Sequence, residues 1–191
     1  HLYPPITTFG NLHLAYKKAA RGKRSRPDVA AFEFDLERNL LELQHELEGQ
    51  TYQPGKYFNF RIYDPKPRLI SAAPFRDRVV HHAVCNIVEP IFERRFIYDS
   101  YACRVGKGTH AALDRAQQFA RRYPYVLKCD LEHFFPGMDH ATLEAQLAQV
   151  IADPQVLCWW KLANYSAGGR KWRQREAGEQ VGLAIDVGPG G

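Results

Sequence analysis

Apolar residues recur at three- and four-residue steps from Val29 onward: Phe32, Leu36, Leu40, Leu43 and Leu47 follow, with Pro27 ahead of the run and Gly49 behind it. That period stacks side chains on a single face, so an amphipathic helix is predicted from Asp28 to Glu48. A shorter helix is predicted from Phe9 to Arg21, with Thr8 as its cap and Leu12, Ala15, Tyr16 and Ala19 on one face. The period then changes. Residues 56–73, KYFNFRIYDPKPRLISAA, are rich in aromatic and β-branched types on both sides of the turn DPKP and read as a β-hairpin. Helical spacing returns from Phe75 to Arg95, where Pro90 is expected to kink or divide the helix.

Thr109 to Arg122 is predicted as a further helix, Tyr125 to Asp130 as a short strand, and Asp139 to Ile151 as a helix capped by Asp139. Pro154 is expected to restart a helix through Tyr165. Helix, hairpin, helices, strand and helix in that order imply an α+β fold: a hairpin-bearing lobe followed by the beginning of a sheet. The ending AIDVGPGG has no apolar pattern to close a core, so the chain is expected to stop mid-fold.

Length and composition narrow the classes. The 191 residues suffice for one full core or two small lobes, at roughly 150 residues per domain. Apolar residues at 45% and charged residues at 25% are ordinary globular usage. The apolar runs fall far short of the ~18 residues that span a bilayer, so no membrane partner is expected. Cys85, Cys103, Cys129 and Cys158 lie 18 or more residues apart with no CxxC pair, which points away from a zinc site and toward a reduced, cytoplasmic setting.

Charge adds a local signal. The formal net charge is +5, and residues 17–26, KKAARGKRSR, hold six basic residues and no acid: Lys17, Lys18, Arg21, Lys23, Arg24 and Arg26. Residues 169–175, GRKWRQR, set four more around Trp172. Each run reads either as a solvated face or mobile loop, or as a phosphate contact. The eight histidines show no HxxxH or HExxH spacing, and the adjacent His81 and His82 face different directions on a helix, so they read as solvated or core residues rather than metal ligands.

The segment KCDLEHFFPGMDH, residues 128–140, carries the candidate chemistry. On a strand, Lys128, Asp130 and Glu132 share one face. Magnesium is commonly held by one or two carboxylates plus substrate phosphate oxygens. The spacing alone leaves two readings open, a metal ligand or a strand whose polar face meets water.

Three blocks in order, KPRLISAAPFRDRVVHHAV (66–84), EPIFERRFIYDSYACRVGKGTHAAL (89–113) and KCDLEHFFPGMDHATL (128–143), make the stretch from about Phe58 to Leu147 resemble the reverse transcriptases of bacterial retroelements, of group II intron-like and diversity-generating types. The resemblance implies a right-hand polymerase: residues 1–27 a basic N-terminal extension, 28–123 fingers, and 124–191 a partial palm. It implies RNA-templated DNA synthesis, with an RNA template, a DNA or RNA primer, dNTP and Mg2+, or Mn2+ in its place.

Asp130 then matches the first catalytic aspartate and metal ligand, with the backbone carbonyl of Leu131 as a further ligand. Phe135 matches the aromatic residue set against the sugar of the incoming nucleotide. Lys66 and Arg68 match the cations that grip the triphosphate, a role that closure of a charged hairpin would suit. Arg78 is a candidate contact to template or nucleotide, whereas Asp77 is expected to orient a neighbouring arginine or cap its helix. Arg104 and Lys107, in a loop with Gly106 and Gly108, are candidates for the template strand, and Lys17, Lys18, Arg21, Lys23 and Arg24 for nucleic-acid phosphates.

The resemblance stops before the Tyr-x-Asp-Asp motif of that family, since no Asp-Asp dipeptide occurs in the 191 residues. The chain by itself is therefore expected to be inactive. The alternative is a non-catalytic, maturase-like or accessory RNA-binding module, and a protein partner or fusion domain is compatible with either.

Overall fold

A computed structural model describes residues 1–63, 67–131, 134–159 and 181–183. Its α+β architecture begins with a helical core: α1 (Tyr3–Thr7), α2 (Phe9–Ala20), α3 (Pro27–Phe34), α4 (Leu36–Glu48) and α5 (Phe75–Glu93). Between α4 and α5 the chain makes β1 (Phe58–Tyr63) and β2 (Pro67–Ala72), and after α5 come α6 (Thr109–Arg122), α7 (Phe134–Gly137), α8 (His140–Ala148) and β3 (Val181–Leu183).

The core is the meeting of α2 with α5, flanked by α1, α3 and α4. Leu12, Ala15, Tyr16 and Ala19 are buried along α2, and Val79, Val80 and Ala83 along α5. Small residues at Ala15, Ala19 and Ala83 let the helices approach closely, and the rings of Tyr16, Phe32 and Phe75 fill the space beside them at 5.3–6.3 Å between centroids. Thr8 caps α2, its side chain accepting from the Asn11 backbone N–H as expected.

The long helix predicted from Asp28 to Glu48 is two helices. Asp35 leaves helical geometry at φ −128°, ψ 53°, and the Asn39 side-chain amide donates to the Phe32 carbonyl at 2.9 Å, which satisfies an acceptor at the end of α3. Pro90 does not divide α5, which runs on to Glu93. The helix predicted from Asp139 starts where expected, with the Asp139 carboxylate accepting from the Thr142 N–H at 2.8 Å, but ends at Ala148. Residues 154–159 are helical, and the remainder of the helix expected through Tyr165 lies outside the described residues.

The hairpin forms as expected. β1 and β2 pair antiparallel, Phe58 opposite Ala72 and Tyr63 opposite Pro67, while Asp64, Pro65 and Lys66 at the turn lie outside the described residues. β3 pairs parallel to β2, with Leu69 opposite Val181. β1 is exposed along its whole length.

The predicted strand Tyr125–Asp130 is not present. That stretch has no regular structure, and Tyr125, Val126 and Leu127 are exposed. A strand needs a neighbour to take its backbone N–H and C=O groups, and among the described residues none lies beside this segment.

Candidate nucleic-acid interface

The basic run is folded. Lys17 and Lys18 occupy the last turn of α2, and Gly22, at φ +70°, turns the chain so that the Lys23 N–H reaches the Ala20 carbonyl at 2.9 Å and the Arg26 N–H reaches the Lys23 carbonyl at 3.0 Å. An L residue adopts that φ at a cost, which suits glycine to the position. Lys17, Lys18, Arg21 and Arg24 are exposed on this knuckle. Arg24 lies 3.7 Å from Glu33, a solvent-facing pair of small energetic weight.

Helix α5 stands behind the knuckle with Arg78, His82 and Asn86 at successive i, i+4 positions on one face. Arg78 binds the Asp28 carboxylate at 2.6 Å, and its guanidinium lies 5.2 Å from the Phe75 ring centroid. Asn86 donates to Asn11 Oδ1 at 2.9 Å and accepts from Lys18 Nζ at 2.6 Å, which fixes the lysine over α5. Burial, then the charges of Lys18, His81, Lys23 and Arg78, hold His82 below the usual imidazole range. His81, on another face, packs edge-on against Trp159 at 5.9 Å.

Asp77, between the two arginines, is almost fully buried. Its carboxylate accepts from the Tyr52 hydroxyl at 2.6 Å and from the Gly55 N–H at 2.8 Å, tying the segment that leads into β1 to the first turn of α5. The sequence expectation that it orients an arginine or caps its helix is replaced by this role. Its bonds run to the 52–55 segment, whereas Arg76 pairs with Glu46 and lies over the Tyr52 ring at 5.3 Å.

Arg104 and Lys107 are engaged with their own loop. Arg104 binds Glu93 at 2.7 Å and the Ile97 and Ser100 carbonyls at 2.8 and 3.1 Å, with its side chain only 9% exposed. Lys107 Nζ binds the Tyr98 carbonyl and sits 4.3 and 4.9 Å from the Tyr98 and Tyr101 ring centroids. The Arg104 hydrogen bond, above all, holds the Glu93 carboxyl below its ordinary value. Both cations order the turn between α5 and α6.

Asp130 and Leu131 are exposed in the irregular stretch before α7, and Asp130 has no ion-pair partner among the described residues. Phe135 lies in α7 and Arg68 in β2, opposite Ile62, whereas Lys66 and residues 169–175 lie outside the described residues. No group of three His, Cys, Asp or Glu side chains suited to a metal occurs among the described residues. One carboxylate and one carbonyl are oxygen donors of the kind magnesium takes, but they fall short of a complete site.

Sequence reasoning did not bring Arg78, His82 and Asn86 together; their i, i+4, i+8 spacing was the available signal.

No family model matches the chain. It is similar to nuclear intron maturase 1, mitochondrial, of Arabidopsis thaliana, 26% identical over 185 residues that cover 81% of this chain and 26% of that protein. It is similar to nuclear intron maturase 2, mitochondrial, of the same plant, 28% identical over 135 residues, 62% of this chain and 18% of that protein. Protein YkfC of Escherichia coli (strain K12) is 30% identical over 132 residues, 64% of this chain and 34% of that protein. The chain thus spans between about a fifth and a third of the length of the curated relatives it matches. Two of these three relatives are named as intron maturases. No described helix is long and apolar enough to cross a membrane.

Proposed function

We propose that this chain is the RNA-holding lobe of a maturase-type protein of reverse-transcriptase descent, built as a fingers-like lobe and gripping structured intron RNA. One observation carries the reading: six cations of residues 17–26 are held on an ordered knuckle against the core, with Glu33 the carboxylate beside Arg24. Clustered cations on a fixed frame bind phosphate by releasing condensed counterions, and less conformational freedom is lost on binding than from a free tail. The likeness to intron maturases makes intron RNA the ligand of choice. A reducing cytoplasm-like compartment accords with four free cysteines, and the mitochondrial names of two relatives make the mitochondrion the other candidate.

The test is RNA binding by the full chain across a salt series, with the basic residues of 17–26 replaced by glutamine. The log–log slope should flatten by about 0.7 for every single-strand phosphate that the protein no longer neutralises. An unchanged slope would remove this knuckle from the interface.

A second reading is favoured by the exposed Asp130, which lacks an ion-pair partner among the described residues. Within a longer polypeptide it would serve nucleotidyl transfer from dNTP to a primer 3′ hydroxyl, with Asp130 and the Leu131 carbonyl among the magnesium ligands. The metal would supply electrostatic stabilisation of the transferring phosphate. Lys66 and Arg68 would hold the triphosphate, and Phe135 would exclude a 2′-hydroxyl. In such a protein Asp130→Asn should abolish incorporation and leave RNA affinity within about twofold; normal turnover would overturn this second reading.

A further inference from the structure

We infer that the polar stripe of α5 and the basic knuckle facing it form a seat for one phosphate group of an RNA backbone, centred on His82 between Lys18 and Lys23, with Arg78 behind. The inference rests on the RNA-binding reading above and names the residues that lie closest to the phosphate.

Three features of the arrangement converge on an anion. First, Lys18 is held by Asn86, which is itself held by Asn11, so its ammonium is positioned over α5 with two further N–H donors to give. Second, Arg78 spends one nitrogen on Asp28, while its buried Nε–H finds no hydrogen-bond partner among the described residues. A buried donor in that state costs free energy, and an added acceptor would recover it. Third, the cations repel one another across the seat. Burial, then Arg78 and Arg26, push the Lys23 ammonium below its usual range, and His82 is lowered by burial and then by the cations around it. An anion placed among them reverses the sign of that interaction.

Among the described residues, Asp28 is bound by Arg78 and Glu33 lies beside Arg24, while Glu89 follows Asn86 along α5. The two free oxygens of a phosphodiester can accept from donors on both sides of His82 at once. The seat also draws on three separate parts of the chain, α2, the turn after it and α5, so it exists only in the folded protein.

The experiment compares salt dependence of binding to a single-stranded RNA oligonucleotide for the full chain and for Lys18→Gln, Lys23→Gln and the double variant, each checked for native far-UV circular dichroism. A phosphodiester carries a single negative charge, so two lysines that share one phosphate release its counterion only once. The double variant should therefore lower the log–log slope by about 0.7, where two separately contacted phosphates would lower it by about 1.4, and each single variant by no more than the double. His82→Gln should weaken binding at every salt concentration. If the parent chain binds RNA but the double variant keeps its slope, or lowers it by about 1.4 as two separate phosphate contacts would, the seat is refuted while RNA binding stands. If the parent chain shows no salt-dependent binding, both readings fall.

Discussion

Replacing Asp77 by alanine removes the acceptor of two hydrogen bonds at once. The Tyr52 hydroxyl, on a side chain that is 3% exposed, loses a 2.6 Å bond, and the Gly55 N–H loses one of 2.8 Å. A buried donor left without a partner costs roughly 1–3 kcal/mol. The Tyr52 hydroxyl meets that cost in full and the half-buried Gly55 N–H only in part, so the expected loss is about 2–3 kcal/mol, a large share of the roughly 5–15 kcal/mol that a folded domain commands. Asp77→Asn should cost less than alanine but remain well above zero, because the amide presents an oxygen to one donor and an N–H to the other. Urea unfolding of the full chain, followed by far-UV circular dichroism, measures each loss. A double-mutant cycle with Tyr52→Phe isolates the direct bond and should give a coupling of about 1–2 kcal/mol, as expected for a buried bond to a charged acceptor. The reasoning is refuted if Asp77→Ala costs under about 1 kcal/mol, or if the cycle shows no coupling.

Two further outcomes follow from the same structure. Asp153 accepts from the Leu2 and Tyr3 N–H groups at 2.6 and 3.1 Å and from Gln155 at 3.1 Å, joining the first helix to residues 154–159. Burial alone would raise its carboxyl, but these backbone donors together outweigh it and hold the group below the ordinary 3.8. A depressed carboxylate contributes stability that is complete above its unfolded value and is lost as pH falls through the folded one, so Asp153→Asn should flatten the acid limb of a Tm-against-pH curve below about pH 5; an unaltered limb would contradict the assignment. Gly55→Ala would place a Cβ 2.9 Å from Pro74 Cγ and 3.3 Å from Asp77 Oδ2, so a loss of about 1–3 kcal/mol in the urea experiment is expected. A neutral or stabilising result would show that the segment before β1 can shift away from α5.

Much of the fold was legible because it is locally encoded. The helix from Thr109 to Arg122 was placed at both its ends, and the hairpin was read from the aromatic and β-branched residues on both sides of its DPKP turn. The break at Asp35 was not legible, because Val29, Phe32, Leu36, Leu40, Leu43 and Leu47 keep helical steps straight across it. The candidate site was read in part: the basic residues were visible as a cluster, but the engagement of Arg104 with Glu93 and of Lys107 with Tyr98 was not.

What the sequence alone determined is therefore the period of each segment and the chemical types it carries. Apolar steps of three and four specify a buried helix face whatever lies opposite, and a run of six cations with no acid is basic in any fold. Only the tertiary structure decided which groups meet. Asp28 and Arg78 are 50 residues apart, Asn11 and Asn86 are 75 apart, and Leu2 and Asp153 are 151 apart. The same holds for the missing strand at Tyr125–Asp130: its residue types favour extended backbone, but a strand exists only where a second one accepts its hydrogen bonds, and no local pattern records that neighbour.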